Sequence, residues 1–218
     1  MYKIYLSPSQ QAGNKYAWGD TNEQIECNKI AAWAKKYLDK CGEFETYVAP
    51  FGATMQKMIE ESNNWDADIH IPIHTNAANG KISGTLVMIY DNSSKNKNLG
   101  LSLYNSVSSV CQGSTAFGVK VNRELAELNS TNAVAAYVEC DFHDNPKTAE
   151  FIVNNTERIG AAIARGIYNY YGIEYKKNST DTNNPKFYYV QVGAFIKKEN
   201  AEKLKNELKG KGYNAIIK

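Results

Sequence analysis

One stretch constrains this chain more than any other: Ala67-Asp68-Ile69-His70-Ile71-Pro72-Ile73-His74-Thr75-Asn76-Ala77. Isoleucines at 69, 71 and 73 repeat with a period of two, the signature of a strand. Pro72 argues against a helix. The stretch therefore reads as a buried strand running out into a polar loop, and it carries two of the three histidines. His70 and His74 share one face of that strand, but four residues at about 3.3 Å each set them roughly 13 Å apart. They cannot share one metal ion, whereas on a helix the same spacing would make a two-histidine zinc site. His74 is the better site candidate. It lies where the strand gives way to the polar run 75–80, and in open α/β sheets sites form at the carboxyl ends of strands.

The rest of the chain alternates strands with helices. Strands are expected at 3–6, 44–48, 84–90 and 133–138. Helices are expected at 21–40, with Thr21 or Asn22 as N-cap, and at 54–63, 99–111 and 148–171. The inward faces are set by Ile30, Trp33, Ala34, Tyr37 and Leu38 in the first helix and by Met55, Met58 and Ile59 in the second. In the last they are set by Ile152, Ile159, Ile163 and Ile167. Such alternation predicts an α/β fold, three-layer αβα with a mostly parallel central sheet. Residues 176–186 form a polar linker. After it, 187–195 and 213–217 read as strands flanking a helix, a small βαβ unit too short to bury a core alone.

Composition closes off several functions. A net charge of +2 on 218 residues gives no field for nucleic acid. No apolar run approaches the ~20 residues of a membrane span, so no membrane insertion is expected. The four cysteines show no Cys-x-x-Cys spacing and read as reduced thiols. Residues 1–6 run straight into a strand, with no signal peptide, so synthesis in the cytoplasm is expected.

Four side chains stand where strands end or helices begin: Gln10, Glu23, His74 and Glu139. Glu139 closes an apolar strand, and burial raises a carboxyl pKa toward the range a general acid/base needs. His74 and Glu23 offer a nitrogen and an oxygen ligand, Gln10 only a neutral carbonyl oxygen. Each also has a plainer reading. His74 can be a hydrogen-bonded loop residue, Glu23 a first-turn acid facing the helix dipole, Gln10 a polar loop residue and Glu139 a salt-bridged strand end. His70 reads as a core histidine bonded to backbone. His143 reads as a turn residue or a substitute ligand.

The order Ser7-Pro8-Ser9-Gln10-Gln11, Glu23, Ile73-His74-Thr75-Asn76-Ala77 and Val138-Glu139-Cys140-Asp141-Phe142-His143-Asp144-Asn145 resembles the zinc-dependent N-acetylmuramoyl-L-alanine amidases of the type-3 family. Gly118-Val119-Lys120 and 125–128 resemble that family's Gly-Val-Lys and Leu-x-x-Leu stretch. The resemblance implies a catalytic domain over 1–175 that binds Zn2+ and cuts the amide between N-acetylmuramic acid and L-alanine in peptidoglycan. It implies Glu23 and His74 as metal ligands and Glu139 as the catalytic acid. Gln10 falls where the family has its first ligand histidine. Residues 187–218 resemble the first half of a sporulation-related repeat (SPOR), a glycan-binding module. The expected setting is the cell wall after release or lysis. The alternative from a different class is a peptidoglycan-binding protein that uses the same groove without hydrolysis.

Overall fold

A computed structural model describes residues 1–111, 113, 118–175, 192, 193, 195 and 197–210. They fall into two units, Met1–Lys177 and Asn178–Lys218. In the second unit the described element is a helix, Lys198–Gly210, with an i,i+4 pair between Lys198 and Glu202. The strands expected at 187–195 and 213–217 lie essentially outside the described residues.

The first unit is built on six strands: β1 (Tyr2–Pro8), β2 (Phe44–Val48), β3 (Ile69–Asn76), β4 (Leu86–Ile89), β5 (Gly118–Val121) and β6 (Val134–Phe142). Their order in the sheet is β2-β1-β3-β6-β4-β5. All pairs are parallel except β4–β6. The helices are α1 (Glu23–Leu38), α2 (Met55–Asn64), α3 (Ser94–Ser108), α4 (Ala126–Asn129), α5 (Pro146–Asn154) and α6 (Thr156–Tyr171). The expected α/β class and mostly parallel sheet are therefore present, with an additional short strand, β5.

Period-two alternation sorts the strand side chains onto two unlike faces. Ile4, Leu6, Ile69, Ile71, Ile73, Ala136, Val138 and Cys140 join the large apolar core, which α1, α3 and α6 cover with Ile30, Leu103 and Ile163. Tyr5, Ser7, His70, His74, Ala135, Tyr137 and Glu139 alternate onto the other face. There α2 contributes Met58, and α4 contributes Leu128, in two small clusters. The large apolar cluster lies on one face of the sheet, and the buried polar side chains Ser7, His70 and His74 lie on the thinner one.

Several local expectations need correction. The helix expected over 148–171 is two helices. Asn155 leaves helical geometry at φ −133° and ψ 25°, and its side-chain amide bonds the Phe151 carbonyl. Helix α3 begins at Ser94, ahead of the apolar stripe that suggested 99. Met55 is exposed, whereas Met58 and Ile59 are buried. Two other expectations agree with the structure: of Thr21 and Asn22, Asn22 is the N-cap of α1, its side chain accepting from the Ile25 N–H, and the cysteines are free thiols.

Candidate active site

The site forms near the carboxyl ends of β3 and β6. His74 and Glu139 are register partners across this parallel pair. One residue further on, the register slips, with Asn76 opposite Phe142. Such irregularities re-aim groups beside active sites. Here the slip releases the Thr75 N–H to Glu23 Oε1 at 3.3 Å, and leaves the Thr75 carbonyl to accept from His143 Nδ1 at 2.9 Å.

Helix α1 brings the second carboxylate. Glu23 is its first residue, and Oε1 lies 2.8 Å from His74 Nδ1, while Oε2 accepts from Asn14 Nδ2 at 2.6 Å. Burial pushes the Glu23 carboxyl up, but its hydrogen bond and charge interaction with His74 outweigh that, and the net is downward. Burial lowers His74 in the same way, and the Glu23 contact reverses it, so the imidazole ends above its ordinary value.

Glu139 behaves oppositely. Burial raises it, the charge of His74 opposes and that of Glu23 adds, leaving it at about 7. Its Oε2 is sealed from solvent without a hydrogen-bond partner among the described residues. A carboxyl so placed is poised to exchange protons near neutral pH.

The two glutamines part company. Gln10 spends its carboxamide on the loops: Nε2 donates to the Pro8 carbonyl, and Oε1 accepts from Gln24 Nε2 at 2.9 Å and from the Gly52 N–H at 2.7 Å. Gln11 lies against the site, with Nε2 3.4 Å from His74 Nδ1. Two N–H groups cannot bond each other. Nδ1 gives its proton to the Glu23 carboxylate, so the contact is a hydrogen bond only if the carboxamide turns its oxygen toward the imidazole. The structure thus brings Glu23, His74 and Glu139 together as the sequence leads one to expect, with Gln11 rather than Gln10 at the imidazole.

The donor chemistry fits zinc. An imidazole nitrogen and a carboxylate oxygen face each other at 2.8 Å, close to the roughly 3.3 Å between adjacent ligands of a tetrahedral zinc. The Gln11 carboxamide lies 3.4 Å from the same imidazole nitrogen. Among the described residues no three His, Cys, Asp or Glu side chains gather around one point.

The other histidines do structural work. His70 is a core histidine, but its partner is a carboxylate rather than backbone. Its Nε2 lies 3.2 Å from Glu127 Oε1, which also accepts from Ser7 Oγ, and its ring stacks on Tyr5. His143 is in a turn, bonded to Thr75 and stacked on Tyr16. Next to it, Asp144 Oδ2 accepts from the Ala78 and Gly80 N–H groups and so pins the loop after β3.

Two groups escaped sequence reasoning. Tyr137 stacks on the His74 ring at 4.4 Å and 25°, a neighbour the period-two count from Glu139 places on the same face. Glu127 sits in a four-residue helix with no periodic signal.

This arrangement has counterparts. Over residues 7–169 the chain matches the family model described as N-acetylmuramoyl-L-alanine amidase, and over 184–218 it matches that of the SPOR domain. It is 28% identical over 229 residues to the sporulation-specific N-acetylmuramoyl-L-alanine amidase of Bacillus subtilis (strain 168), covering 100% of this chain and 84% of that protein. The fold is similar to an N-acetylmuramoyl-L-alanine amidase from Clostridium difficile 630, with a TM-score of 0.72 at 19% identity over 78% of this chain and 97% of that one. The catalytic domain of the endolysin CD27L gives 0.62 at 22% identity, over 78% and 98%. The family match runs from Ser7 in β1 to Asn169 in α6 and takes in Glu23, His74 and Glu139; the chain belongs to the N-acetylmuramoyl-L-alanine amidase family.

Proposed function

We propose that the chain hydrolyses the amide between N-acetylmuramic acid and L-alanine in peptidoglycan with one zinc ion, held by His74 Nδ1, Glu23 Oε1 and the Gln11 carboxamide. The observation that carries this reading is the pairing of His74 and Glu139 across β3–β6, with Glu23 on the imidazole and one Glu139 oxygen sealed and unpartnered among the described residues. Bound zinc supplies positive charge that makes a water more acidic and polarises the amide carbonyl. Glu139 takes the proton that water loses and delivers it to the departing L-alanine nitrogen, two transfers that a carboxyl near neutrality makes in either direction. Asn14 and the Thr75 N–H hold the Glu23 carboxylate in place. Asp144 holds the loop after β3 at the rim. The division at residues 177–178 and the SPOR match support a separate C-terminal unit that recognises glycan.

The test is Glu139→Gln. It should abolish release of stem peptides from cell walls while retaining about one zinc per chain. A variant that still cuts at the wild-type rate overturns the assignment of Glu139. A wild-type chain that binds walls, takes up no zinc and releases nothing is instead a peptidoglycan-binding protein on an amidase fold.

A further inference from the structure

Tyr137 is buried on the thin face of β6, two residues before Glu139 and on the same side of the strand. Its ring lies over the His74 imidazole at 4.4 Å, and it packs among Leu128, Ala135, Met88 and Leu125. The ring is thus fixed from both sides, and it carries a hydroxyl. A buried phenol ordinarily finds a hydrogen-bond partner. The tyrosines nearby do: Tyr5 donates to Glu61, and Tyr16 is bonded to Thr75. The Tyr137 hydroxyl has no partner among the described residues. It is also absent from the polar atoms that are sealed off unpaired, so the hydroxyl keeps some contact with solvent at the end of a ring stacked on His74. A rigidly held, unspent O–H donor at a hydrolytic centre is a preorganised group of the kind that stabilises developing negative charge.

We propose that the Tyr137 hydroxyl is a catalytic residue, donating a hydrogen bond to the oxygen of the scissile amide as that oxygen gains charge. The role rests on the amidase reading. In the step it serves, the bond from water oxygen to carbonyl carbon forms and the bond from that carbon to the L-alanine nitrogen breaks. The proton released by water passes through Glu139 to the nitrogen. Tyr137 keeps its own proton throughout and remains a neutral phenol, as a tyrosine does at neutral pH. Water and leaving group are served by Glu139; the amide oxygen, which bound zinc would polarise, has a second lone pair that a neutral donor can meet.

The discriminating variant is Tyr137→Phe, measured on the full chain loaded with zinc. Phenylalanine keeps the ring on His74, so zinc affinity against a chromophoric chelator and melting temperature should match wild type. The expected kinetic result is a fall in kcat of roughly a hundredfold with KM within about twofold. In a Glu139→Gln background, adding Tyr137→Phe should leave the affinity for wall fragments unchanged. A wild-type kcat, or a rise in KM with kcat intact, overturns the role, the latter because it marks a contact made equally to the ground state. If the wild-type chain holds zinc yet releases no stem peptides, the amidase reading falls and the role of Tyr137 falls with it.

Discussion

His74 and Glu139 face each other across the β3–β6 ladder, so neither can be repositioned without shifting two central strands of the sheet. A site mounted on neighbouring strands is held more firmly than one mounted on loops. What the ladder does not satisfy is the charge of Glu139, and that has a measurable consequence in the metal-free protein.

Burial raises the folded-state pKa of Glu139 to about 7 from an ordinary 4.5. A group raised on folding contributes stability that is fully present below its unfolded pKa and is lost as pH rises through the folded one. Metal-free wild type should therefore lose about 3 kcal/mol between pH 4.5 and pH 8 relative to Glu139→Gln, which does not titrate. Urea unfolding of both proteins across that range reads the difference directly. Parallel curves would show that Glu139 is solvated. At the acid end the sign reverses: Glu23 and Glu127 are both held below their ordinary values, so they stabilise the fold above that range and both proteins should weaken as pH falls through it.

The two glutamines separate metal binding from loop architecture. Gln11→Ala removes the carboxamide beside His74 and should weaken zinc binding by about tenfold or more. Gln10→Ala leaves the Gly52 N–H and the Gln24 amide without their acceptor, costing about 1 kcal/mol of stability with zinc affinity near wild type. Competition with a chelator and thermal unfolding on the same two variants check both halves. Equal losses of zinc affinity would return Gln10 to the ligand set.

This contrast marks where sequence reasoning reaches and where it stops. The faces of β3 were legible because Ile69, Ile71 and Ile73 alternate; Glu23 and His74 stood out as candidates at the ends of periodic elements, but a ligand role for them came only from the family resemblance. The choice between Gln10 and Gln11 was not. A loop has no period, and which carboxamide turns inward depends on Gly52 and Gln24, residues distant in sequence that offer Gln10 better partners. The break at Asn155 was hidden for a related reason: the isoleucines of α5 and α6 face the same core, so apolar spacing runs across the interruption. The partner of His70 was hidden because its carboxylate comes from a helix of four residues.

That partner carries a stability prediction. Glu127 Oε1 serves both His70 and Ser7 in a buried pocket, while His70 Nδ1 already lacks a partner among the described residues. Glu127→Ala would strand the imidazole and leave the Ser7 hydroxyl only its weak contact with Met58 Sδ, at a cost of about 3 kcal/mol. Glu127→Gln keeps an acceptor in place and should cost about 1 kcal/mol. Denaturant midpoints rank the two, and equal small losses would show the pocket to be open to water.

The last prediction concerns the thick face, whose packing keeps Glu23 in reach of the sheet. Helices α1 and α6 pack against each other at Gly160, which is buried in the interior of α6. A Cβ added there would lie 2.6 Å from both the Ile30 carbonyl oxygen and Trp33 Cβ, and 2.8 Å from the Ala34 nitrogen. Two of those three atoms are helix backbone and the third is a Cβ, so none can swing aside as a side-chain tip can. Alanine is the better helix former by about 1 kcal/mol, which would favour Gly160→Ala on an isolated helix. Overpacking against backbone costs about 1–3 kcal/mol and has to move α1 as a whole. Repulsion at this distance outweighs propensity, so the variant should unfold at lower denaturant than wild type. Because Glu23 opens the helix that is displaced, zinc affinity should fall in the same variant, and chelator competition on the folded protein reads that shift. A Gly160→Ala protein as stable as wild type would mean that α1 and α6 stand further apart than their packing here.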